Sequence, residues 1–142
     1  MKRAIAFIED NIWKFGYFIY PYARRFVLRS GLIKHTRRQP FRIGWIGGKI
    51  DDVKKHLKKE GYEDDPLAWV DPGEFISMRI RINRKSQPDK EGKFQYHIRV
   101  FNDGEVKAHY EYAPEGNPLY HYYEHIFRPR RNYFRKLLKN FL

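Results

Sequence analysis

Three segments of alternating apolar and polar residues constrain the fold of this chain more than any other feature. The apolar positions are every second residue: Ile76, Met78, Ile80 and Ile82; Phe94, Tyr96, Ile98 and Val100; Val106, Ala108, Tyr110 and Tyr112. A period of two is typical of strands that bury one face. The sequence therefore predicts three half-buried antiparallel strands with their polar side chains on the opposite face.

The short turn between the second and third segments fixes their register. A two-residue loop would set apolar residues against polar ones. A three-residue loop at Asn102-Asp103-Gly104, with Gly104 left-handed, sets Val100 opposite Val106 and keeps the apolar sets together. The longer loop is therefore predicted.

The predicted register brings basic side chains together on the polar face. His97 lies opposite His109, and Arg99 lies opposite Lys107. If the three strands form a meander, Arg79 and Arg81 share that face, with Phe75 and Phe101 at its ends. Three uses of this face remain open: a solvated surface without a ligand, a surface for single-stranded RNA, and a catalytic site.

The N-terminal segment is predicted to be helical from residue 3 to residue 29. Its apolar residues recur at spacings of three and four: Ile5, Ile8, Ile12, Phe15, Ile19, Tyr22 and Phe26. This apolar seam has the period of an amphipathic helix, and Pro21 either kinks it or divides it into two helices. We expect the seam to pack on its own domain; the alternative is a homodimer formed through it.

The remaining segments complete an α+β fold. Phe41 to Ile46 is a strand candidate, and a helix capped by Asp51 is predicted to run to about Glu60. Further helices are predicted from Leu119 to Phe127 and from about Arg131. The predicted fold is a three-stranded antiparallel sheet, or a four-stranded one, with one face covered by N- and C-terminal amphipathic helices. It forms one domain over residues 1–142: a basic helical segment (1–40), a strand–helix–sheet centre (41–116) and basic C-terminal helices (117–142).

The charges of the chain are sorted along its length. Nine Lys and Arg residues and no carboxylate lie between Asn11 and Ile50, and six more lie between Arg128 and Leu142, again without a carboxylate. The net charge of the whole chain is +12. Such acid-free basic blocks are typical of surfaces that bind a polyanion.

Arginine and aromatic residues in the basic blocks favour nucleic acid as the polyanion. Arginine binds phosphates through two donors and stacks on bases, which a surface that only confers solubility does not need. RNA is preferred over duplex DNA because no helix-turn-helix, zinc finger or basic zipper is evident. The predicted binding residues are Arg24, Arg25, Arg29, Lys34, Arg37, Arg38, Arg42, Arg79, Arg81, Arg99, Lys107, Arg128, Arg130, Arg131 and Arg135.

Catalysis is a weaker prediction than binding. Metal-independent RNA cleavage would use His97 and His109 as base and acid, with Arg99 holding the phosphorane charge. The HYYEH string places His121, Glu124 and His125 at the spacing of a zinc-binding motif, but no acidic residue follows Glu124 to complete it. We therefore predict no cofactor, and a binding protein in preference to an enzyme.

Composition limits the setting of the protein. The chain contains no cysteine, which excludes disulfides and thiolate metal sites and fits a cytoplasmic location. Its longest uncharged apolar stretch near the N-terminus is too short to span a membrane, and no secretory signal is evident. Peripheral association with anionic lipid or with an acidic protein partner remains the alternative to nucleic acid. Few glutamines and abundant charged residues would suit a thermophile.

Overall fold

The computed structural model describes residues 41–65, 71–116 and 130–142, together with the helical residues Phe15, Phe18, Ile19, Tyr22, Ala23 and Phe26. The chain divides into two compact units. One comprises residues 1–36 and 66–72, and the other comprises residues 37–65 and 73–142. All described strands belong to the second unit.

The second unit is built on a five-stranded antiparallel sheet. Its strands are β1 (Arg42–Trp45), β2 (Glu63–Asp64), β3 (Glu74–Ile82), β4 (Phe94–Phe101) and β5 (Glu105–Tyr112), in the spatial order β1-β5-β4-β3-β2. The three predicted strands therefore form the centre of the sheet as a meander. The strand candidate from Phe41 to Ile46 is confirmed as β1, and the sheet has one strand, β2, more than the predicted four-stranded form.

The predicted register of β4 and β5 is confirmed. Val100 pairs with Val106 and His97 pairs with His109. Gly104 has a φ of 83°, a left-handed conformation that favours glycine and that the three-residue loop requires. Because the side-chain period of a strand is two, this one turn decides which residues share a face over the whole hairpin.

Within the described part of the second unit, two helices cover the apolar face. Helix α1 (Ile50–Lys59) contributes Val53 and Leu57, and helix α2 (Arg131–Leu137) contributes Phe134, with Leu138 just after it. These four side chains are fully buried against the inward isoleucines, valines and tyrosines of the sheet. Burying apolar side chains of this size stabilises a fold by about 1.5–3 kcal/mol each.

The C-terminal helix covers the sheet as expected, together with α1 from the centre of the chain. Most of the predicted N-terminal helix lies outside the described residues. Asp51 is not the cap of α1, because the helix begins one residue earlier and Lys49 precedes it without a side-chain capping bond. Among the described residues of the N-terminal seam, Phe15, Ile19, Tyr22 and Phe26 are all exposed.

Candidate functional site

The polar face of the sheet carries the predicted catalytic residues in the predicted arrangement. His97 on β4 and His109 on β5 are directly paired, with ring centroids 5.2 Å apart. Arg99 is paired with Lys107 beside them. The meander also places Arg79 opposite His97. Sequence reasoning therefore assembled this cluster correctly.

This face is buried, however, and the prediction of half-buried strands is wrong here. His97 is 2% exposed, His109 is 1% exposed and Arg99 is 6% exposed. Phe101, predicted to end an accessible face, is also fully buried. A phosphodiester group cannot contact imidazoles that solvent does not reach, so this geometry offers no access for RNA cleavage.

Carboxylates explain how so many cations can be buried. The guanidinium of Arg79 lies 2.5 Å from Glu115 Oε1 and donates from Nε to Glu63 Oε1 at 3.2 Å. Arg99 Nη1 donates to Glu74 Oε2 at 2.5 Å. A buried charge is tolerated when it is paired and hydrogen-bonded in this way.

Arg81 on β3 also has an internal role. Arg81 donates from Nε and Nη2 to the carbonyl oxygen of Gly92, at 3.1 Å and 2.9 Å. Arg79 and Arg99 therefore hold carboxylates within the buried layer instead of facing solvent as phosphate ligands, and the partly exposed Arg81 holds backbone.

Glu111 joins the two histidines into one cluster. Its Oε2 lies 3.0 Å from His109 Nε2, and its Oε1 lies 3.5 Å from His97 Nδ1. Gln95 Nε2 donates to Oε1 at 2.6 Å. On the other side of its ring, His97 Nε2 lies 2.8 Å from Ser77 Oγ.

The environment of this cluster favours an ionised carboxylate and a neutral imidazole. Burial alone would raise the pKa of Glu111, but His109 and His97 hold that pKa well below its ordinary value. Burial lowers the pKa of His97, with Glu111 acting against this effect. One nitrogen of each imidazole and one oxygen of Glu111 lie within 4.8 Å of one another, so the three residues could hold one metal ion.

Exposed basic and aromatic side chains lie instead on β1, at the edge of the sheet, and on α2 with the residue before it. We call the set of exposed residues Arg42, Trp45, Arg130, Arg131 and Arg135 the basic edge. Trp45 is 52% exposed, and the Arg42 guanidinium lies over its ring at 4.4 Å from the centroid. Arg42 also donates to Glu105 Oε1 at 2.7 Å, which fixes it beside the ring.

The C-terminal segment is joined directly to β1. Arg135 Nε donates to the carbonyl oxygen of Ile43 at 3.4 Å, and Gly47 N donates to the carbonyl oxygen of Phe141 at 2.9 Å. These contacts place Arg135 next to the strand that carries Trp45, whereas the Arg130 guanidinium lies over the ring of Tyr110 on β5, 5.6 Å from the centroid. Beside them, Arg130, Arg131, Asn132 and Tyr133 line an open cavity of about 530 Å³.

Several predicted site residues lie outside the described residues. These are Arg24, Arg25, Arg29, Lys34, Arg37, Arg38, Arg128, His121, Glu124 and His125. Within the described part of the chain, the sequence analysis missed Glu111, Ser77 and Trp45. The alternation placed Glu111 on the same face as His109, and Ser77 on the same face as Arg79, but the sequence analysis gave neither residue a role in the site.

Comparisons with known proteins identify no relative. No family model, no curated protein and no solved structure matches the chain. None of the helices in the described ranges is long and apolar enough to cross a membrane.

Proposed function

We propose that this protein binds single-stranded nucleic acid, RNA in preference to DNA, through the basic edge. The observation that carries the proposal is the exposed ring of Trp45, with the Arg42 guanidinium over it, on a strand whose Ile43 carbonyl oxygen accepts a hydrogen bond from the exposed Arg135. Stacking of a base on an aromatic ring contributes about 1–3 kcal/mol, and arginine adds phosphate contacts and stacking of its own.

The exposed tryptophan favours a single strand over a duplex. Bases within a duplex are stacked on one another and offer no face to a protein ring, whereas unpaired bases do. Arg130, Arg131 and Arg135 lie in a segment without any carboxylate, from Arg128 to the C-terminus. Cations without nearby acids attract a phosphate backbone with little internal competition.

The sheet arginines and the N-terminal block have different places in this proposal. Arg79, Arg81 and Arg99 stabilise the fold and are not part of the proposed surface. The N-terminal cations, Arg24 to Arg38, extend the binding surface in this proposal on the basis of their sequence alone. The burial of His97 and His109 makes RNA cleavage the less favoured alternative, and a cytoplasmic location remains part of the proposal.

A second copy of the chain is the proposed protein partner. Phe15, Ile19, Tyr22 and Phe26 follow a helical spacing and are 40–68% exposed. An apolar seam of this kind is stabilised when it packs against another one.

The test is fluorescence anisotropy with labelled single-stranded RNA, duplex RNA and duplex DNA across a salt series, with anionic liposomes measured alongside. We expect single-stranded RNA to bind most tightly, and affinity to fall by about 0.7 log units per decade of salt for each contacted phosphate. Sedimentation of the same samples reports the dimer. Preferential binding to liposomes, or no binding to nucleic acid at low salt, would contradict the proposal.

Two triple variants with equal charge loss locate the surface. R130A/R131A/R135A removes three cations of the basic edge, and we expect its salt slope to fall by about 2 units. K54A/K55A/K58A removes three cations of α1; two of these pair with Asp64 of β2, at the opposite edge of the sheet. Equal loss of affinity in both variants would show unspecific charge attraction and would exclude the basic edge as the site.

A further inference from the structure

The buried cluster of His97, His109 and Glu111 has an arrangement that ordinary sheet packing does not require. Two imidazoles from neighbouring strands face the same carboxylate, and all three residues are at most 7% exposed. Each oxygen of Glu111 lies near one ring nitrogen: Oε2 near His109 Nε2 and Oε1 near His97 Nδ1.

The separations between these atoms are near those around a metal ion. Bonds of about 2.0–2.1 Å in a tetrahedral site place neighbouring ligand atoms about 3.3–3.4 Å apart. The two contacts of Glu111, made by its two different oxygens, are 3.0 Å and 3.5 Å, and the candidate ligand atoms of all three residues lie within 4.8 Å of one another. Binding one ion would therefore require the side chains to move closer together.

The surroundings of His97 are those of a metal ligand. Nδ1 faces Glu111, whereas Nε2 lies 2.8 Å from Ser77 Oγ and 3.6 Å from Asp65 Oδ2. An imidazole that binds a metal through one nitrogen usually donates its other N–H to a carboxylate or another acceptor, which fixes the orientation of the ring. Ser77 and Asp65 can serve as these acceptors.

We propose that His97, His109 and Glu111 bind one divalent transition-metal ion of the Zn²⁺ class. Two imidazoles and a carboxylate suit zinc and its neighbours, whereas magnesium and calcium prefer oxygen ligands alone. Because the cluster is buried, the ion has a structural role: it links β4 to β5 within the polar layer of the sheet. This proposal does not depend on nucleic-acid binding.

The alternative to a bound metal ion is a proton on one of the two imidazoles. A protonated imidazole beside Glu111 would satisfy the same contacts, so the experiment must separate the two. The full-length chain is unfolded in the presence of a chelator, then refolded with and without equimolar Zn²⁺, because a buried site admits an ion most readily during folding. We expect one bound Zn²⁺ per chain and a higher melting temperature with zinc.

Matched variants test which histidines bind the zinc ion. H109Q is expected to abolish stoichiometric zinc binding, whereas H121Q/H125Q, which removes the histidines of the HYYEH string, should leave it unchanged. S77A should weaken zinc binding about 10–100-fold, and S77T, which keeps the hydroxyl, should restore it. Loss of zinc binding in H121Q/H125Q would overturn the proposal.

A measurement on the unaltered protein covers the case in which H109Q does not fold. The ring-nitrogen chemical shifts of the six histidines are recorded by NMR with and without Zn²⁺. We expect the signals of two histidines, His97 and His109, to move, with His97 bound through Nδ1. Unchanged shifts at equimolar zinc, or movement of other histidines, would contradict the site.

Discussion

At the scale of single residues, the Arg99–Glu74 ion pair shows why the polar layer can be buried at all. The Glu74 side chain is 0% exposed, and Arg99 Nη1 lies 2.5 Å from its Oε2. Such a pair adds little net stability over an apolar pair of the same size, but losing one member leaves a buried charge without its counterion. The pair therefore favours this fold mainly because structures that separate the two charges are much less stable.

This asymmetry gives the first prediction. Glu74→Gln should lower the free energy of unfolding by about 3–5 kcal/mol, because it removes the Glu74 carboxylate from the buried Arg99 guanidinium. The double variant E74M/R99M should recover much of that loss. Urea unfolding followed by circular dichroism measures both.

An exposed ion pair serves as the control for this prediction. Asp52→Asn removes the partner of Lys55 on α1, where both side chains are more than half exposed. Its effect should be below about 1 kcal/mol, as is usual for surface pairs. A Glu74→Gln effect as small as that of Asp52→Asn would show that water or another group replaces the lost partner.

At the scale of elements, the β3–β4 hairpin is closed by an unusually near approach of backbone to backbone. A Cβ added at Gly92 would lie 2.2 Å from the carbonyl oxygen of Ile82, which no side chain tolerates. Arg81, on the same hairpin, donates twice to the carbonyl of Gly92. The close packing of Gly92 on Ile82 and the two hydrogen bonds from Arg81 thus hold the loop after β3 against that strand.

The second prediction follows from this contact. Gly92→Ala must displace the loop from β3, and we expect it to destabilise the protein by about 1–3 kcal/mol, the usual cost of overpacking. Gly48→Ala is the matched control, since an added Cβ there meets no atom within 4 Å. Equal melting temperatures for the two variants would contradict the packing seen at Gly92.

At the scale of the whole molecule, charges have two separate roles. Within the polar layer, arginines are balanced by carboxylates contributed from several strands and from the segment after β5. At the basic edge, the cations of α2 come from a segment with no acid of its own. A chain with net charge +12 can therefore bury ion pairs internally and still present a strongly positive surface.

The buried titratable groups predict a loss of stability in mild acid. The pKa of folded His97 lies below 6.5, so the unfolded chain binds that proton first, and the contribution of neutral His97 falls as the pH decreases from about 6.5. The pKa of folded Glu111 lies well below 4.5, so its contribution is present above that pH and is lost as the pH falls further. Arg99 and Asp65 also act on His97, in opposite directions.

Urea unfolding at a series of pH values, with a chelator present, checks this third prediction. Between pH 6.5 and the folded pKa of His97, the free energy of unfolding should decrease by up to about 1.4 kcal/mol per pH unit for that group. H97Q should lack this part of the slope, whereas H56Q, at a site on α1, should retain it. A flat profile from pH 7 to pH 5 in the unaltered protein would contradict it.

The sequence by itself determined the central meander, its register and the sorting of charge, because strand period and turn chemistry are local properties. It placed His97 opposite His109 and identified the helix from Arg131 that bears the exposed cations. Only the tertiary structure decided that the polar face is buried. The acids that neutralise Arg79 and Arg99 are Glu63, Glu74 and Glu115, and none of them belongs to the alternating segments from which the sheet was predicted. Alternation shows which face of a strand a side chain is on, but not whether other residues bury that face. The exposure of Trp45 was decided in the same way, since it depends on the position of β1 at the edge of the sheet.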